Sequence, residues 1–305
     1  MAIGTNKTAN LASVSLAGLL AHDVNAINDL VSECKTNGFF YLDFRHPSTS
    51  DILKLVEQLS IIGKSMFKMT LEEKEQYSTE KYLPSRLLGY KRAGCSVGPF
   101  SGKKDGYESF SMFMSEVHEY TDCILSILSE ALQLPYDLKQ CHRKDKPSSA
   151  NMAMLNYLPW GSSDERIGNM AHTDMGTLTV VFSKSEGLQA MLPGREDWSF
   201  IPPQEGHAVV NVGDSLRFLS NGMLASSLHR VVPPPDSAGQ DKFSVIYFLR
   251  PEFDAKFKNH EGKEINSVEW HNKKYSLFRE DSLDAKEHGA MLTGRNEYLG
   301  ATAST

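Results

Sequence analysis

His172 and Asp174 stand two positions apart in the run NMAHTDMGTL, residues 169–178, just ahead of an apolar, β-branched stretch. An imidazole nitrogen and a carboxylate oxygen are both donors for a divalent transition metal. The pair alone decides little. With ten histidines in 305 residues, ordinary aspartate usage yields about half of one His-x-Asp by chance. An exposed turn in which Asp174 makes an Asx hydrogen bond is the competing explanation. Three further features favour a metal. The pair precedes a strand expected over Thr177–Ser183, so a rigid sheet can aim both side chains. A second histidine, His229, lies on a later apolar run, Ser226–Val232. Two imidazoles and one carboxylate on one face of an ion leave three positions open, the arrangement of non-haem Fe(II) centres. Finally, Lys242 and Ser244 begin the next strand and share a face by alternation. A cation beside a hydroxyl suits a second carboxylate.

The elements that must hold these residues change character along the chain. Up to about residue 150 the pattern is mostly helical. Asp23 precedes an amphipathic stretch, with Val24, Ile27, Leu30 and Val31 at helical spacing, that Gly38 stops. A short strand, FFYLDF, follows, and Ile52, Leu55, Val56, Leu59, Ile62 and Met66 mark a long helix. Thr70-Leu-Glu-Glu73 is a capping-box pattern. From Lys81 to Gly106 the chain is basic, rich in Gly and Ser and without period, which predicts a long loop of the kind that binds ligands. Val117 to Ala131 carries another helix. From Asn151, about eight short apolar runs alternate with turn residues, among them MAMLNYL, TLTVVFS, HAVVNVG, LRFLS and KFSVIYFLRP. That spacing predicts a sandwich or barrel, not βαβ units. After Pro251 the tail turns polar, with one helix expected around Ser267–Glu280. The expected divisions are a mostly helical region at 1–150, a β core at 151–251, and a C-terminal helix and tail at 252–305.

Hydrophobic residues at 40% and charged residues at 23% describe an ordinary folded chain. The net charge of -6 gives no electrostatic reason to expect nucleic acid or an anionic membrane as partner. No run approaches the roughly 18 apolar residues of a membrane helix. The first residues lack the charged-then-apolar build of a secretory signal. Cys34, Cys95, Cys123 and Cys141 form no CxxC, so reduced thiols in the cytoplasm are expected. No Gly-rich phosphate loop, Ser-His-Asp order or reactive-cysteine context stands out.

The segments ECKTNGFFYLDF, MTLEEKEQY, LGYKRAG, KDGYESF, LNYLPW, AHTDMGTLTVVF, GLQAM, HAVVNVGDSLRFLSNG, SSLHRVVPP and KFSVIYFLRPE occur in that order. In them the chain resembles the Fe(II)- and 2-oxoglutarate-dependent dioxygenases of the isopenicillin N synthase-like superfamily, especially their fungal small-molecule branch. The resemblance covers nearly the whole length. It implies a mainly β fold with flanking helices, built on a double-stranded β-helix (jelly-roll) core. It implies that His172, Asp174 and His229 ligate Fe(II), and that Lys242, Ser244 and Asn156 bind 2-oxoglutarate. The segment at 81–106 becomes a substrate-side loop. The implied activity is oxidation of a small molecule by O2 through a ferryl-oxo species, with ascorbate as an auxiliary reductant. Hydroxylation, desaturation, cyclisation and ring expansion all fall within it, in specialised-metabolite biosynthesis. A monomer or homodimer is the expected assembly.

The chain departs from the family pattern at two places. Arg-x-Ser is replaced by Lys242-x-Ser244, which keeps the charge and loses the planar fork. Plant members often read Asn-Tyr-Tyr-Pro, whereas Asn156-Tyr157-Leu158-Pro159 lacks the second hydroxyl. These changes leave open an isopenicillin N synthase-like iron oxidase that uses O2 without 2-oxoglutarate. A non-catalytic jelly-roll binding protein is the other alternative, disfavoured by the intact triad. On the substrate side, Tyr107 and Phe110 are placed like the family's substrate-facing residues. Arg217, inside a run expected as strand, needs a partner if buried, either a substrate or a structural carboxylate. Arg166, shortly before the iron motif, is a weaker version of the same idea. Lys91 and Arg92 read as solvated loop charges, and the remaining histidines as surface or satisfied core residues.

Overall fold

The computed structural model describes residues 7–82, 88–96, 103–112, 116–159, 168–232, 242–259 and 262–277. Its large sheet runs, in spatial order, β1 (Ser13–Ser15), β2 (Phe39–Asp43), β10 (His207–Val212), β7 (Leu178–Ser183), β12 (Lys242–Leu249), β5 (Asn151–Tyr157), β4 (Tyr107–Met112) and β3 (Gly89–Lys91). Only the β1–β2 pair is parallel. A smaller sheet has the order β6 (Asn169–His172), β11 (Leu228–Val231), β8 (Leu188–Met191), β9 (Ser199–Phe200), and β13 (Lys256–Lys258) pairs with β14 (Glu264–Asn266). Alternation decides which side chains meet. On β12, Val245, Tyr247 and Leu249 enter the helix-side core, whereas Ile246 faces Ala153, Leu155 and Val231 between the sheets. The two sheets thus close on each other as the expected double-stranded β-helix.

Helices α1 (Leu16–Leu20), α2 (Val24–Thr36), α3 (Asp51–Phe67), α4 (Leu71–Glu75) and α5 (Glu116–Ala131) come from the first half, with α6 (Asp214–Leu219) and α7 (Ser267–Ser276) later. Asp23 caps α2, and Thr70 and Glu73 close a reciprocal capping box on α4. Ile124, Leu125 and Leu128 of α5 are fully buried in the helix-side core, each contributing about 1.5–3 kcal/mol of burial. On α3, Leu55 and Ile62 are exposed. That helix approaches the sheet through Gly63 instead, where a Cβ would lie 2.6 Å from the Met154 sulfur.

Two expectations differ from the fold. LRFLS is not a strand but part of α6, a helix of six residues capped at Gly213. So short a helix shows no period in sequence. The segment expected as one loop over 81–106 contains β3, whose three residues pair with β4 and are too few to display alternation. Among the described residues no helix is long and apolar enough to cross a membrane.

Candidate active site

His172 ends β6, His229 lies on β11, and the antiparallel register sets the two directly across from each other. Their ring centroids are 4.4 Å apart. Asp174, just beyond β6, brings Oδ1 to 3.5 Å from His172 Nε2 and 3.8 Å from His229 Nε2. All three residues are buried. Each ring is fixed from behind. His172 Nδ1 lies 2.7 Å from the Met170 carbonyl and His229 Nδ1 lies 3.2 Å from that of Ser227. A carbonyl only accepts, so both Nδ1 atoms carry the proton and both Nε2 lone pairs face the gap. Asp174 is fixed likewise. Its Oδ2 accepts from Thr179 Oγ1 at 2.5 Å and Asn211 Nδ2 at 2.8 Å, and these two are register partners on β7 and β10. Only Oδ1 is left for the gap.

Electrostatics agree with a metal-ligand role. Burial opposes ionisation of Asp174, but His229, His172 and Asn211 outweigh it and hold the carboxyl well below the usual carboxylate range. Burial, reinforced by His172, pushes His229 down to about 4, so its imidazole is neutral near pH 7, as ligation requires. Two neutral nitrogens and one carboxylate oxygen converge with their other atoms tied back. That donor set fits Fe(II) held on one face.

Thr173, between the two ligands, points the opposite way into a buried polar knot. Its hydroxyl donates to Asp214 at 3.1 Å and accepts from Lys274 Nζ at 2.7 Å, and Lys274 also pairs with Asp214. Lys274 and Asp214 are wholly inaccessible. The first N–H groups of α6, on Asp214 and Ser215, donate to the carbonyls of Asp174 and Gly176, so the metal loop satisfies donors that a helix start leaves open. A Cβ on Gly213 would lie 2.2 Å from the Gly176 oxygen, so this approach requires glycine. Sequence reasoning missed Lys274, because a lysine in a polar terminal helix reads as solvated.

Lys242 and Ser244 line the same cavity as the triad. Lys242 is 5% exposed, and its Nζ donates to Ser183 Oγ at 3.2 Å and the Ser185 carbonyl at 2.8 Å. An ammonium has three donors, so one remains for a ligand. Burial, opposed by Glu186, lowers this lysine to about 8. Asn156 is not brought to the cavity. Alternation on β5 points Ala153, Leu155 and Tyr157 inward, and Asn156 donates from the opposite face to Glu108 Oε1 at 3.2 Å. Glu108 also accepts from Lys74 and Tyr90, so Asn156 belongs to a polar cluster behind the sheet. The inward tyrosine is Tyr157, whose ring lies 5.9 Å from Lys242 Nζ.

Of the substrate-side candidates, Tyr107 lines the cavity, its ring 5.3 Å from that of Tyr157. Phe110 does not. It sits at the other parity of β4, packed on Phe67 and Tyr90 in the core. Arg217 on α6 is also away from the cavity wall, its guanidinium 5.0 Å from the Phe218 ring. Arg166 lies outside the described residues. Lys91, expected as a solvated charge, lines the cavity and pairs with Asp105. The cavity residue passed over in sequence is Arg250. Its signal was present, since it continues the alternation of Lys242, Ser244, Ile246 and Phe248.

The family model of the 2OG-Fe(II) oxygenase superfamily matches residues 149–251. The 2-oxoglutarate-dependent dioxygenase FG08081 of Gibberella zeae is 30% identical, covering 97% of this chain and 96% of its own. The 2-oxoglutarate-dependent dioxygenase gloE of Glarea lozoyensis is 32% identical, covering 95% and 94% respectively. Among solved structures, a full-length Neurospora crassa protein in complex with alpha-KG superposes with a TM-score of 0.70 at 19% identity, covering 89% of this chain and 99% of its own. That likeness bears on the fold.

Proposed function

We infer the division of labour in the cavity from one premise: the chain belongs to the 2OG-Fe(II) oxygenase superfamily and is an Fe(II)- and 2-oxoglutarate-dependent dioxygenase. One observation carries the inference. Two Nε2 atoms and one Oδ1 converge, each held from behind, in a cavity whose wall also carries a buried lysine with a donor to spare. His172, Asp174 and His229 hold the iron. Lys242 and Ser244 receive the distal carboxylate of 2-oxoglutarate, with Ser183 and the Ser185 carbonyl keeping the ammonium in place. Bound Fe(II) with 2-oxoglutarate and O2 supplies the oxidising power, and succinate and carbon dioxide are the co-products. The chain's own share is positioning. Thr179 and Asn211 fix the carboxylate ligand, and Leu155, Val181 and Ile246 give the cavity apolar walls.

The substrate is a small molecule, and we place it among specialised metabolites because the curated fungal relatives align over nearly their whole length. We place the enzyme in the cytoplasm as a monomer or homodimer. Its four cysteines, all free, suit a reducing compartment. The test is anaerobic. Adding 2-oxoglutarate to the Fe(II) protein produces the weak visible charge-transfer band of the iron chelate, and admitting O2 then yields succinate. Iron bound without that band overturns the reading.

A further inference from the structure

Just past the end of strand β12, Arg250 places a second cation at the far end of the strand's cavity face. Lys242, Ser244, Ile246, Phe248 and Arg250 all line the wall, and at ~3.3 Å per residue the Cα atoms of Lys242 and Arg250 stand about 26 Å apart along the chain. Arg250 is 9% exposed. Its Nη1 donates to the Ser149 carbonyl and to Asn151 Oδ1, and its guanidinium lies 4.7 Å from the Phe248 ring. Its Nε is buried and makes no hydrogen bond. Its stem lies against the metal loop, for a Cβ on Gly176 would come within 2.8 Å of Arg250 Cγ.

A buried cation requires a counter-charge. The other two buried cations among the described residues have one, Lys74 pairing with Glu108 and Lys274 with Asp214, and the half-buried Lys91 pairs with Asp105. Among the described residues Lys242 and Arg250 have no carboxylate in ion-pair contact, and both face the cavity; Asp174, the carboxylate that acts on Arg250 from farther off, is committed to the iron. The co-substrate accounts for Lys242 under the function proposed above, on which this step rests. We propose that Arg250 anchors the substrate by its carboxylate, so that the enzyme acts on small organic acids whose apolar body lies along Phe248 and Met175. The Nη2 end of the guanidinium, clear of the Ser149 and Asn151 bonds, offers charge-assisted donors to a carboxylate oxygen. A phosphate dianion would need a second cation here, and Lys91 is already neutralised by Asp105.

The test uses matched probes with the Fe(II)·2-oxoglutarate protein under anaerobic conditions. Phenylacetate and indole-3-acetate are titrated calorimetrically beside phenylacetamide and indole-3-acetamide, with the chelate band reporting 2-oxoglutarate separately. Wild type binds each acid at least about tenfold more tightly than its amide, the worth of a charge-assisted hydrogen bond. Arg250→Gln loses that preference, Arg250→Lys keeps part of it, and 2-oxoglutarate affinity changes less than about twofold in both. Wild type that fails to prefer the acids overturns the proposal, whether or not Arg250→Gln folds. So does a tenfold loss of 2-oxoglutarate affinity in either variant, which would hand Arg250 to the co-substrate. Absence of the chelate band in wild type instead sinks the co-substrate reading, and the acid-over-amide comparison on the iron-loaded protein still decides the role of Arg250.

Discussion

Titrating 2-oxoglutarate into the anaerobic Fe(II) protein from pH 6.5 to 9.5 reads the charge on Lys242. Burial, with Glu186 opposing it, takes that lysine from 10.5 to about 8. The distal carboxylate needs the ammonium form, so the apparent Kd is the intrinsic value divided by the protonated fraction. With the folded pKa below the unfolded one, the proton is lost as pH rises through about 8, and affinity falls in that direction. The fraction is near one at pH 6.5, about a half at pH 8 and roughly a tenth at pH 9, so Kd starts flat, doubles, and then rises about tenfold. Lys242→Arg stays charged, and its Kd remains flat across the range. Lys242→Met loses a charge-assisted hydrogen bond of ~1.5–3 kcal/mol, and its Kd is about ten- to hundredfold weaker at pH 6.5. The assay is the visible charge-transfer band. A wild-type Kd that stays flat to pH 9.5, together with unweakened binding by Lys242→Met, refutes the assignment.

Thr179→Val and Asn211→Ala each remove one of the two donors on Asp174 Oδ2. Each weakens Fe(II) binding by about 10- to 100-fold, measured by equilibrium dialysis, and an unchanged affinity in the double variant would contradict the account. Lys274→Met leaves Asp214 buried without its cation and lowers stability by ~3–5 kcal/mol, read from urea unfolding. His142 is buried, with Nδ1 near the Leu138 carbonyl and Nε2 near Thr177 Oγ1, and burial lowers it from 6.5 to about 4. Its folded pKa lies below its unfolded one, so its contribution of roughly 3 kcal/mol is fully present above pH 6.5 and is lost as pH falls through 4. Urea unfolding of His142→Asn at pH 7 and pH 4.5 shows a correspondingly smaller difference than wild type.

The metal site was legible because its three ligands sit on elements with strong local patterns. The apolar run after Gly176 announces β7, and the run around His229 announces β11. Two residues on a common face need only that alternation, which is why Lys242 and Ser244 could be paired in sequence. Asn156 and Phe110 were placed by the family resemblance alone, and on β5 and β4 they stand at the parity that faces away from the cavity. Tyr157 and Tyr107 took those inward places. Arg217 failed for a different reason. A six-residue helix carries less than two turns of pattern, so an apolar run with one arginine looks like strand. Lys74, Lys274 and Arg250 were passed over because a long cationic side chain is exposed by default, and their burial depends on partners distant in sequence, such as Glu108 and Asp214. The N-terminal half hid β1 and β3 because three-residue strands take their structure from the neighbours they pair with.

The central claim is that His172, Asp174 and His229 together hold the iron. Anaerobic equilibrium dialysis of Fe(II) against wild type, His172→Ala, Asp174→Ala and His229→Ala tests it without needing a substrate. Wild type binds one iron per chain, and each variant loses more affinity than the ~10- to 100-fold expected for a supporting residue. A single one of the three variants binding iron as tightly as wild type contradicts the account.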